Sequence, residues 1–120
     1  MLRSYVRVKT VQVAIQDLAY AESICDLLSQ EAGHRVHLVE NPDVTVEGVI
    51  IADATHLSNF PTLADERRVL VMVHKDRDDL SKIWDAGARH VLFYGDPPRR
   101  VRVAVLGLEL SLSANGASAG

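Results

Sequence analysis

Five short apolar runs punctuate the chain, separated by stretches of a different period. Val11 to Ile15 is apolar except at Gln12 and ends at Gln16-Asp17. Arg35 to Val39 alternates around His37 and ends at Glu40-Asn41-Pro42-Asp43. Val49-Ile50-Ile51-Ala52 is unbroken and ends at Asp53, and Val69 to Val73 is unbroken and ends at His74. His90 to Tyr94 is the fifth run. Runs that are apolar at consecutive positions suit strands covered on both faces, as in a parallel sheet. Between the first two runs, Ala21, Ile24, Cys25, Leu27 and Leu28 recur at three- and four-residue spacing. That spacing predicts a helix over 18–32, with Asp17 as N-cap and Gly33 as its stop. Asp78 to Ala86 carries Leu80, Ile83 and Trp84 at helical spacing and stops at Gly87. Thr55 to Arg67 contains Pro61 and has poor periodicity, so a short helix and a set of turns both fit.

The last segment carries conflicting signals. Val101, Val103 and Val105 alternate, then Leu106, Leu108, Leu110 and Leu112 alternate on the other parity, which is strand-like. Asp96 followed by Pro97-Pro98 marks a helix start, and Asn115-Gly116 marks a helix stop. The boundary signals favour a helix. Strands alternating with helices predict parallel pairing with right-handed crossovers. One link tests this: Glu40 to Gly48 is shorter than the dozen or so residues a parallel crossover usually takes. A hairpin turn at Asn41-Pro42-Asp43 is the alternative.

Composition narrows the function classes. The 120 residues predict one domain: an arm at 1–10, a folded part at 11–113, and a flexible tail or linker at 114–120. The net charge of −3 argues against a dedicated nucleic-acid binder. Cys25 is the only cysteine, which excludes an internal disulfide and fits a reducing, cytoplasmic setting. No apolar run approaches the length of a membrane span, and no signal-peptide core is visible. His34 and His37 stand three apart near a strand, which is not a zinc pair on a helix. Neither a glycine-rich phosphate loop nor a Gly-x-Ser-x-Gly elbow is present, so no enzyme is expected. In a parallel sheet, ligand chemistry gathers at the carboxyl ends of the strands. Those ends are Gln16-Asp17, Asp53, His74 and Tyr94.

Three stretches carry a family resemblance across Val11 to Ser113. They are Gln12 to Asp17 with the helix that follows, Val49 to Asp53, and Ala86-Gly87-Ala88 leading to Val91-Leu92. Together they resemble a receiver domain of two-component response regulators. The resemblance implies a flavodoxin-like α/β fold, a five-stranded parallel sheet in order 2-1-3-4-5. With only nine residues between strands two and three, the second helix is missing or very short. It implies Asp53 as the phosphoacceptor position and Asp17 as one of the acids that hold magnesium. The departures are large. Gln16 stands at the first acid, His74 at the Ser/Thr of strand four, Tyr94-Gly95 at the Lys-Pro after strand five, and Val91 at the aromatic switch.

A degenerate, pseudo-receiver reading follows. The expected work is signalling through protein contact, either as a homodimer or by docking an effector, without phosphorylation, resident cofactor or direct nucleic-acid contact. The alternative reading is a working switch, with Asp53 phosphorylated and a weak magnesium ion at Asp17 and Asp53. Receivers use strand five and its flanking helices for docking. Here that surface would include Trp84, Arg89, Tyr94, Arg99, Arg102 and Leu106. The last helix carries more apolar area than one face can bury, which marks a partner surface. Receiver-like front domains occur on transcription regulators and on pilus-assembly ATPases. Residue by residue, plainer roles are also expected: Trp84 in the core, Cys25 a buried inert thiol, Asp78-Asp79 complementing a helix dipole.

Overall fold

The computed structural model describes residues 9–30, 33–54, 66–76, 78 and 80–119, with backbone alone at 66 and 113–119. Five strands form one sheet: β1 (Lys9–Ala14), β2 (His34–Leu38), β3 (Val49–Asp53), β4 (Val69–Val73) and β5 (His90–Phe93). Their order is β2-β1-β3-β4-β5, and every neighbouring pair is parallel. This is the predicted flavodoxin-like sheet. It removes the hairpin alternative at Asn41-Pro42-Asp43, because β2 and β3 both run alongside β1 in the same direction. β1 begins at Lys9, two residues inside the predicted arm. The first turn of pairing, Lys9 with His34 and Thr10 with Arg35, extends the strand beyond its apolar run.

Three helices are described: α1 (Leu18–Ser29), α2 (Leu80–Asp85) and α3 (Pro98–Ala119). One sheet face, through Val11, Val13, Val49, Ile51, Leu70 and Met72, packs against α1 and α3. α1 contributes Ala21, Ile24 and Leu28, and α3 contributes Val101, Val105 and Leu108. The other face, through Ala14, Ile50, Ala52, Val69, Val71 and Val73, meets Ile83 of α2 and Ala88. β3 and β4 are buried at all five positions, as their unbroken apolar runs require.

Several predicted details change. Trp84 is 49% exposed, so it is not core. α2 is six residues long and turns one side inward; Ile83 takes the buried slot and its neighbour Trp84 points away. Gly87 ends α2 as expected, at φ 103°. Gly87 N–H donates to the carbonyl of Trp84, and Ala88 N–H to that of Ile83, in the double closure typical of a C-terminal glycine. α3 runs to Ala119, through the predicted stop at Asn115-Gly116 and the predicted tail. Extending an existing helix fixes one residue per added hydrogen bond, so glycine weakens the helix without ending it. Asp96 does not cap α3. Its Oδ2 accepts from Phe93 N–H at 3.2 Å and its N–H returns to the Phe93 carbonyl at 2.9 Å, closing the turn after β5. Of the weakly patterned segment 55–67, residues 55–65 lie outside the described residues, and Glu66–Arg68 form a 3₁₀ turn.

The short crossover is held by side chains. Gln12, buried in β1, donates Nε2 to the Asp43 carbonyl at 2.9 Å and accepts Asp43 N–H at 2.7 Å. The amide thus pairs with the loop as a backbone unit would. Arg68 donates to three loop carbonyls: Val44, Val46 at 2.7 Å and Gly48 at 2.9 Å. Gly48 has φ 120°, and a Cβ there would stand 2.1 Å from the Thr10 carbonyl oxygen. A second long-range tie joins β2 to α3. His34 Nε2 lies 2.9 and 3.0 Å from the two carboxylate oxygens of Glu109, with both side chains buried.

The loop anchors set the cost of altering the crossover. Gly48→Ala is expected to lose roughly 2–3 kcal/mol, because the backbone angle and the Thr10 contact both exclude a methyl group. Arg68→Ala should lose about 1–2 kcal/mol, the net worth of charge-assisted bonds partly open to water. Urea denaturation of both variants against the parent chain measures these losses.

Candidate functional site

Parallel strands deliver their carboxyl ends to one edge of the sheet, and the loops there enclose a cavity of about 420 Å³. Its described lining is Gln16, Asp17, Asp53, Ala54, His74, Asp78 and Tyr94. All five strand-end residues singled out from sequence therefore meet. Asp53 closes β3 and is only 6% exposed. Its Oδ2 accepts Gln16 N–H at 2.8 Å, which ties the end of β3 to the loop after β1. Asp17 has two roles, since it lines the cavity and caps α1 by accepting Tyr20 N–H at 3.1 Å.

The aromatic residues define the other wall. His74 and Tyr94 stack with ring centroids 4.0 Å apart and planes 19° from parallel. Tyr20 meets Tyr94 edge-on at 4.9 Å. Tyr94 N–H donates to the Val73 carbonyl at 3.1 Å, which continues the β4–β5 ladder and aims the ring at the cavity. Tyr94 is thus a pocket wall, its ring half-buried against Tyr20 and the core. Burial, then the carboxylates of Asp53 and Asp17, the Tyr20 phenol and the Asp78 carboxylate, raise the Tyr94 phenol well above its ordinary pKa. Burial and then Asp96 also raise that of Tyr20. The Tyr20 hydroxyl is buried with no hydrogen-bond partner among the described residues.

Two members were not legible as site residues. Asp78 was expected only to complement a helix dipole. In the structure its Oδ2 accepts His74 N–H at 2.7 Å, and its own N–H donates to the His74 carbonyl at 3.0 Å. That closed turn brings the carboxylate back to the strand end. The signal was its position four residues beyond His74, the residue that follows β4. Tyr20 sits on the α1 stripe at helical spacing, where nothing separated it from ordinary core. Cys25 is half-buried on α1, and burial followed by Asp26 and Glu22 raises its thiol pKa.

The remaining predicted residues lie elsewhere. Arg99 and Arg102 are exposed on the first turns of α3, Leu106 is half-buried further along it, and Arg89 is exposed before β5. Trp84 stands exposed on α2.

The lining does not fit magnesium. An octahedral ion needs several oxygen ligands converging on one point. Gln16 supplies no charge, Asp17 and Asp53 each commit an oxygen to a backbone N–H, and no group of three acids, histidines or cysteines among the described residues is arranged to hold an ion.

No protein-family model and no curated protein matches the sequence. Solved structures do. Full-length FixJ from B. japonicum superposes with a TM-score of 0.69 at 18% identity, over 93% of this chain and 63% of that one. The chain has the receiver fold. The response regulator ChrA of a heme-sensing two-component system is similar at a TM-score of 0.61 and 14% identity, over 87% of this chain and 57% of that one. The chain therefore spans less than two thirds of either neighbour. In this chain the β2–β3 crossover carries no helix, and the strand-end cavity holds an aromatic stack beside three carboxylates.

The phenols give the site a pH signature. Unfolded tyrosines release their protons near pH 10, while Tyr94 and Tyr20 hold theirs to higher pH in the folded chain. Their contribution to stability is therefore complete below about pH 10 and is lost as the pH rises beyond it. Phenolate absorbance during an alkaline titration should show late-titrating tyrosines, and Tyr94→Phe should remove one of them.

Proposed function

We propose that the chain is a receiver-like signalling module that works through protein contact and does not pass a phosphoryl group through Asp53. The observation that carries this is the Tyr94–His74 stack beside Asp53. A phosphoryl acceptor needs its developing negative charge neutralised. The described lining offers three carboxylates and no lysine or arginine. Carboxylates facing a phosphoryl group repel its negative charge. Tyr94 donates at most one hydrogen bond and carries no positive charge. Burial of Asp53 behind its Gln16 hydrogen bond adds to that barrier.

Contact falls to the outer side of α3. Val103 and Leu110 are 68% and 70% exposed, with Leu106 between them and Arg99 and Arg102 at the basic end. Apolar side chains in this arrangement fit a protein partner better than they fit water. The proposal includes no enzymatic activity, no resident cofactor and no direct nucleic-acid contact, and it sets the module in the cytoplasm. It draws its two-component setting from the neighbour ChrA.

Incubation with a small-molecule phosphodonor and magnesium, followed by intact-mass measurement, tests the chemistry. The expected result is an unchanged mass. A phosphoryl adduct that disappears in Asp53→Asn would replace this reading with the phosphorylation switch.

A further inference from the structure

The loop that replaces a crossover helix is unusually well fixed for a segment that shows apolar side chains to water. Gln12 holds Asp43 at both its N–H and its carbonyl, and Arg68 holds the carbonyls of Val44, Val46 and Gly48. Asp43 Oδ1 further accepts from Thr45 N–H at 3.0 Å and from its hydroxyl at 2.6 Å. Val46 N–H donates to the Asp43 carbonyl at 3.2 Å. Despite these ties Val44 and Val46 remain exposed, flanked by exposed Glu40, Asp43 and Glu47. A loop already fixed in one shape loses little entropy on binding. Its chemistry calls for an apolar partner surface carrying positive charge.

α3 presents such a surface. Arg99, Val103, Leu106 and Leu110 recur at three- and four-residue intervals along the side opposite buried Val101, Val105 and Leu108. Arg100 flanks this stripe, and Gly107 within it has open space around it. The two surfaces lie on opposite faces of the sheet. α3 packs on the face of Val11 and Val13, while Gln12, pointing the other way from β1, carries the loop.

We propose that the acidic apolar loop around Val44 and Val46 docks the basic apolar side of α3 from a second copy of this chain, head to tail. This deepens the reading of α3 as a contact surface and is independent of the chemistry at Asp53. Such a contact is heterologous: each copy uses two different patches, and neither patch is consumed by a twofold axis. Association therefore continues past the dimer. The patches are small, which places the contact in the weak, transient class, and its opposite charges make it sensitive to salt.

Sedimentation velocity on the full chain tests this with two exposed charge reversals, Arg99→Glu with Arg100→Glu, and Glu40→Lys with Glu47→Lys. The average mass of the parent chain should rise past that of a dimer with concentration and fall back as salt is added. Each double variant alone should stay monomeric. Their equimolar mixture should associate again and grow past the dimer, since the native loop of one meets the native helix of the other and the two reversed patches are complementary as well. The chain carrying all four reversals should associate again, which also shows that the substitutions leave the fold intact. A parent chain that stays monomeric at every concentration overturns the proposal, as does a mixture that does not associate. If the Glu40→Lys, Glu47→Lys variant dimerises like the parent, the contact is a twofold pairing of α3. Head-to-tail docking then fails while protein contact through α3 stands.

Discussion

The sheet depends on a crossover that has no helix to make it. A chain leaving β2 at one edge must pass behind β1 and enter β3 in the same direction, and here it has about ten residues to do so. Polar side chains do the work that a packed helix would do. The Gln12 amide reaches the loop from below, and the Arg68 guanidinium reaches it from the start of β4. Both bond to backbone atoms, so they fix the loop's path directly. The path in turn fixes the order of the strands. With β3 placed beside β1, Asp53 lies next to the Gln16 amide, and the cavity at the strand ends can form.

That cavity lies where a parallel α/β sheet gathers its ligand chemistry, at the carboxyl ends of the strands. The acids at the ends of β1 and β3 are present, but both are drawn into local hydrogen bonds, and the facing strands contribute rings in place of a cation. A stack of two rings braced by a third is a rigid wall. It leaves the carboxylates in surroundings that suit neutral or positive groups and repel anions.

Much of the fold was legible because the apolar runs are long enough to report burial on both faces. Val49 to Ala52 and Val69 to Val73 announced central parallel strands, and the residues just after them announced the site. Other features left weaker traces. Gln12 interrupts an apolar run as a surface residue would, and only its partner thirty-one residues away explains its burial. Trp84 shares helical spacing with Ile83, yet a six-residue helix has one inward position and gives it to the smaller side chain. Asp78 enters the site through a turn whose closing bonds have no periodic pattern. The alternating valines and leucines of α3 gave no helical period, and the helix was legible only from its boundary residues; one apolar side covers the sheet and the other is exposed.

The buried contact between His34 and Glu109 joins positions separated by 75 residues, so it forms only after most of the domain has been made. Until Glu109 has been synthesised, the edge strand β2 keeps an imidazole without its acceptor, and the face of Val11 and Val13 lacks its second helix. The amino-terminal half of the domain therefore cannot finish folding on the ribosome as an independent unit. The last helix is the clasp that closes the domain. Because its outer side is also the exposed apolar surface, that surface takes shape only once the strands beneath it have been gathered.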